Sequence, residues 1–145
     1  MLFRSLKRQG RAEEHIALFY PDTDADRLAM LQAMLKKTRI QLSSPEVEKV
    51  FLTKAGSLSG ADIEAILVRA SMKSALEKEA TVDADDLLAT LEDFIPPSYP
   101  MEIEMQNLVA VQECTRRSLL PAKYRDMPRE EISRQISEFK MLLGD

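Results

Sequence analysis

Apolar side chains recur at helical spacing through most of the chain. After Asp22, Leu28, Leu31, Met34 and Leu35 form one stripe, and Thr23 with Asp26 three residues on makes a capping box; this predicts a first helix from about Asp24 to Lys37. Ser44 as N-cap, Pro45 in the first helical position and Glu46 at the positive end of the helix dipole open a second helix, with Val47, Val50 and Phe51 on its buried side. It runs to about Lys54, and Gly56 stops it. Ser59 with Asp62 makes another capping box before Ile63, Ile66, Leu67, Ala70 and Ala75, an alanine-rich run to about Glu79 that permits close packing. Asp83, an N-cap with Asp86 at the third helical position, opens a fourth helix with Leu87, Leu88, Leu91 and Phe94 on its apolar face. Four helices within about 70 residues predict a compact bundle.

Pro96-Pro97-Ser98-Tyr99-Pro100 interrupts the pattern, because prolines at this density forbid a continuing helix and favour an extended joint. Beyond it, Met101, Met105, Leu108, Val111 and Leu119 predict one long helix ended at or just before Pro121. A last helix, about Pro128 to Leu143, carries Ile132, Ile136, Phe139 and Leu143 on one face, with Gly144 at its end. Upstream of the bundle, His15-Ile16-Ala17-Leu18-Phe19 reads as a strand. The expected fold is all-α: a helical bundle with a two-helix C-terminal extension, preceded by a lone strand.

At 145 residues and 45% hydrophobic content the chain is long enough for a real core. Only four Gly, no Trp, 6% aromatics and many Leu, Ala, Glu and Lys lean towards helix. A formal net charge of -4 argues against a general binder of nucleic acid or of anionic membranes, since backbone-phosphate affinity needs a basic surface. No apolar run approaches the roughly 20 residues that cross a bilayer, and the start lacks the apolar core of a secretory signal, so a cytoplasmic protein without a membrane span is expected. One cysteine, Cys114, and one histidine, His15, give no cluster with zinc-ligand spacing. Met1-Leu2-Phe3-Arg4-Ser5 resembles the translation of a common sequencing-library adapter. Read so, it is an assembly scar outside the fold and the native chain extends upstream of Leu6; the alternative is an ordinary start with that spelling.

Two places carry candidate chemistry. Arg8 and Arg11 stand three residues apart around Gly10, and guanidiniums are permanently charged forks suited to the charge that builds on a phosphoryl group in transfer. Ser59-Gly60-Ala61-Asp62 follows one helix pair later; a glycine at a first turn lets a ligand approach the backbone, and the free amides there offer donors to a nucleotide. Taken singly, two arginines near a chain start are solvated charges and the second motif is a plain capping box. In this order, with the strand and Tyr20-Pro21-Asp22 between them, they resemble the end of the nucleotide-binding core and the helical lid of an AAA-family ATPase. The resemblance covers Leu6 to Phe94 and reaches the extension only loosely.

That resemblance implies that Arg8 and Arg11 are arginine fingers, pointing across a subunit boundary at the ATP of a neighbour. Gln9 departs from the Pro or Phe common there. It implies that Gly60 and Ala61 cover the adenine and ribose of the chain's own nucleotide; Ala61 stands where related clades carry a sensor arginine, so the chain looks like the branch without one. On this basis residues 1–21 are a remnant of the nucleotide-binding core, 22–94 the lid and 95–145 the C-terminal extension. The implied parent hydrolyses ATP with magnesium as a homo-oligomeric ring of six that remodels a protein substrate. The chain has no Gly-x-x-x-x-Gly-Lys-Ser/Thr loop and no apolar strand ending in Asp-Glu. Both, with the magnesium ligands, are expected upstream, and the fragment alone is expected to be inactive. Two alternatives stay open: a non-catalytic helical protein-interaction module, and a catalytically dead AAA-like subunit that lends arginines to an active neighbour.

The remaining polar residues read more plainly. His15 has no carboxylate partner in view and receives no catalytic role. Lys36, Lys37 and Arg39 suit the negative end of the first helix, Cys114 is a small core residue, and Arg116 and Arg117 are surface charges.

Overall fold

The computed structural model describes residues 14–56, 58–96 and 100–144. Among them it is all-helical, with seven α-helices, one 3-10 turn and no strand. Contacts divide the chain into two units. One is Tyr20–Pro97; the other is built from the described parts of Met1–Phe19 and Ser98–Asp145.

The first unit holds α1 (Asp24–Thr38), α2 (Pro45–Lys54), α3 (Gly60–Leu76) and α4 (Ala84–Asp93). Three of the four starts are capped as the sequence predicts: Thr23 and Ser59 close capping boxes with Asp26 and Asp62, and Asp83 accepts from the Asp86 amide. Ser44 occupies the N-cap of α2 without a side-chain bond. Helix α1 packs on α2 and α3, and α4 on α2 and α3. Between them Leu31, Val47, Phe51, Ile63, Ile66, Leu67, Ala70 and Leu87 are buried. Ala75, expected on the inner face, is exposed. Opposite the helix ends, Val82 donates to the Gln41 carbonyl at 2.9 Å and accepts from the Ser43 amide at 2.9 Å, a parallel bridge that ties the α1–α2 loop to the α3–α4 loop.

Helix α3 stops at Leu76, three residues short of the expected end. Lys78 adopts φ +64°, and the Glu79 amide bonds the Ser74 carbonyl at 2.9 Å while the Lys78 amide bonds Ala75 at 3.1 Å. These paired bonds close the helix in a Schellman motif, with lysine where glycine is the usual occupant.

The second unit is built on α5 (Pro100–Glu113) packed against α7 (Arg129–Leu143), joined by the 3-10 turn η1 (Arg117–Leu119) and the short α6 (Ala122–Arg125). Leu108, Val111, Tyr124, Ile132 and Ile136 form its core, with Phe19, Leu120, Met127 and Phe139 packed on them. The long helix expected to reach Leu119 therefore ends at Glu113. The physical reason lies outside the helix: the Thr115 amide donates to the His15 carbonyl at 3.2 Å, and the Thr115 hydroxyl accepts from the His15 amide at 2.9 Å. Glu14 pairs with Arg116 at 2.7 Å, and the Phe19 ring stacks on Tyr124 with centroids 5.8 Å apart. Along residues 14–19 exposure alternates, with Ile16 and Leu18 outward and His15, Ala17 and Phe19 half-buried. The period is that of a strand, but the described partners are helix ends and not a sheet.

Candidate functional site

Arg8 and Arg11 lie outside the described residues. Gly60 and Ala61 are the first two residues of α3, the longest described helix. The side chains around them are fully engaged in the cap. Ser59 Oγ accepts from the Asp62 amide at 3.1 Å, and Asp62 Oδ2 accepts from the Ser59 amide at 2.8 Å and from its hydroxyl at 2.6 Å. The amides of Gly60 and Ala61 belong to the first helical turn, where no carbonyl of the same helix can reach them. They are the donors this corner offers.

Gly60 has a packing reason of its own. A Cβ there would stand 3.3 Å from Met30 Sδ and 4.0 Å from Met34 Sδ, so the glycine lets the start of α3 lie close against α1. Ala61 is exposed. One turn further on, Glu64 pairs with Lys37 at 2.6 Å, which takes up one of the cations at the end of α1. The corner is thus a helix start with two amide donors, a surface methyl group and a closed side-chain cap. Its amides can donate to hydrogen-bond acceptors, and the positive end of the helix dipole favours negative charge there.

Elsewhere in this unit a buried polar cluster has no signature in the sequence. Asp86 is 4% exposed; its Oδ2 accepts from Ser74 Oγ at 2.5 Å and its Oδ1 pairs with Lys73 Nζ at 2.9 Å. The Ser74 hydroxyl, then Lys73, holds the Asp86 carboxyl below its ordinary value. The sequence shows Asp86 as a member of an N-terminal turn, and nothing local pairs it with Ser74 twelve residues earlier. The cluster joins α3 to α4.

His15 is engaged through its backbone by Thr115, and its Nδ1 lies 3.2 Å from the Glu113 carbonyl oxygen, which suits a protonated Nδ1. Cys114 is buried, with Sγ 3.4 Å from the Arg116 carbonyl oxygen. Among the described residues no group of three or more His, Cys, Asp or Glu side chains is placed to hold a metal ion, and no helix is long and apolar enough to cross a membrane. Compared with protein-family models the chain matches none, and no curated protein matches it.

Proposed function

We propose that this chain is the C-terminal part of an AAA-family ATPase, contributing arginine fingers and a nucleotide-covering lid to a ring of six that remodels a protein substrate. The observation that carries the reading is the placement of Ser59-Gly60-Ala61-Asp62 at the start of the longest helix of a compact four-helix unit, with the Ala61 side chain exposed. In this reading the Gly60 and Ala61 amides donate to the base and ribose of bound ATP. The nucleotide does not use the space beside Gly60, which Met30 occupies. Arg8 and Arg11 donate to the γ-phosphoryl oxygens of a neighbouring subunit's ATP as water attacks phosphorus and the bond to the β–γ bridging oxygen breaks. Magnesium neutralises phosphate charge when bound, held by ligands outside this chain.

A helical protein-interaction module is the second reading. It is favoured by Met72 and Leu76, 64% and 86% exposed, one turn apart on α3.

The two separate in the full-length protein. Ala61→Glu places an acidic side chain in the first turn of α3, where the helix dipole tolerates or favours it. ATP affinity should fall about tenfold while the melting temperature holds or rises. Unchanged ATP affinity, or no ATP binding by the parent protein, would sink the lid reading. Arg8→Ala and Arg11→Ala should lower the ATPase rate by a factor on the order of 10³ with nucleotide binding retained.

A further inference from the structure

The second unit contains a cavity of about 380 Å³, bounded by the end of α5, the η1–α6 segment and the start of α7. That size falls in the range of small-molecule pockets. Arg117, Arg125 and Arg129 line it, and Asp126 is the one carboxylate among the described lining residues. Three guanidiniums against one carboxylate leave an excess of two positive charges in a chain whose overall charge is -4.

Two of the three arginines are already hydrogen-bonded. Arg117 donates from Nε to the Arg125 carbonyl at 3.0 Å and from Nη2 to Asp126 at 2.6 Å. Arg125 donates from Nη2 to the Leu120 carbonyl at 3.0 Å. These bonds restrain Arg117 and Arg125 and leave further donors on both forks, so part of their rotamer freedom is already lost before an anion arrives. Neither Arg125 nor Arg129 pairs with a carboxylate among the described residues. The rest of the wall is mixed: Val111, Leu120, Tyr124, Met127 and Ile132 supply apolar and aromatic surface, and Gln112 and Thr115 add polar groups. Helix α7 begins at this wall behind Pro128, which gives its first amides no side-chain cap.

We propose that this cavity binds an organic phosphate monoester, with the phosphate on the arginine rim and the organic group against the apolar wall. Charge selects the head group: a phosphate monoester near neutral pH carries about -1.5 to -2, which matches the excess, whereas a carboxylate balances only half of it. Arginine forks meet phosphate oxygens through paired hydrogen bonds. The mixed lining favours a ligand with an apolar body over inorganic phosphate. The site is independent of the turn at Gly60 and stands whether or not the chain is part of an ATPase.

The test is a titration of the isotope-labelled full chain with phenyl phosphate, read by amide chemical shifts. Saturable changes confined to residues 111–132 are expected, with phenyl phosphate binding at least fivefold more tightly than inorganic phosphate or benzoate. Arg129→Glu should weaken binding at least tenfold with the chain still folded, because an acid in the first turn of α7 agrees with the helix dipole. Arg125→Gln should weaken it severalfold. Shifts that fail to saturate at millimolar ligand, shifts scattered over both units, equal affinity for benzoate, or unchanged affinity in a folded Arg129→Glu chain would each overturn the assignment.

Discussion

Lys78 holds a left-handed backbone conformation that costs a side chain with a Cβ about 1 kcal/mol. Lys78→Gly should therefore raise the stability of the first unit by about 1 kcal/mol, read as a higher denaturant midpoint; a fall would show that the side chain contributes more than the strain removes. Asp86 works in the opposite sense. Its native carboxyl titrates below the ordinary aspartate value of 3.8, so the unfolded chain takes up the proton first. The stabilisation is present above that ordinary value and is lost as pH falls through the lowered native one. Asp86→Asn should cost about 1 to 3 kcal/mol at neutral pH and flatten the acid limb of the stability profile, measured by denaturation at a series of pH values. An unchanged acid limb would mean that another carboxylate dominates. Thr23, Ser59 and Asp83 bond groups three residues away, so their roles are written locally, whereas Ser74 and Asp86 meet only after α3 and α4 have packed.

At the scale of elements, the starts of helices are more legible than their ends. Capping boxes announce α1 and α3, but α3 closes on a lysine instead of a glycine, and α5 closes where the Thr115 amide donates to the carbonyl of His15, 100 residues away. The same contact explains why residues 14–19 alternate like a strand: one side of the segment packs on the rest of the second unit, through His15 and Phe19. Phe19→Ala removes a half-buried ring from Tyr124 and should cost about 2 kcal/mol, less than a fully buried phenylalanine. Hydrogen exchange should then accelerate at Leu108, Val111 and Ile132 while Ile63 to Ala70 stay protected. Equal acceleration in both places would show that the two cores unfold together. The candidate turn at Ser59 to Asp62 was legible as a cap, and the arginine-lined cavity was not, because the end of α5, the η1–α6 segment and the start of α7 meet only once the chain has folded.

For the whole molecule, the buried clusters are separate: one draws its residues from Tyr20–Pro97, the other from Phe19 and the residues beyond Ser98. A chain trimmed to residues 20–97 should keep its helical signal and melt cooperatively. Loss of that signal would mean that the four-helix core is not self-sufficient. The path of the backbone adds a consequence. Because the stretch before Tyr20 and the stretch after Pro97 both belong to one body, the four-helix unit is an excursion tethered at both feet. As long as the body around Leu108 stays intact, melting the excursion yields a closed loop and not two free tails. By the entropy of loop closure that restraint is worth up to about 4 kcal/mol to its folded form, so the excised bundle should melt at a lower temperature than the same helices in place.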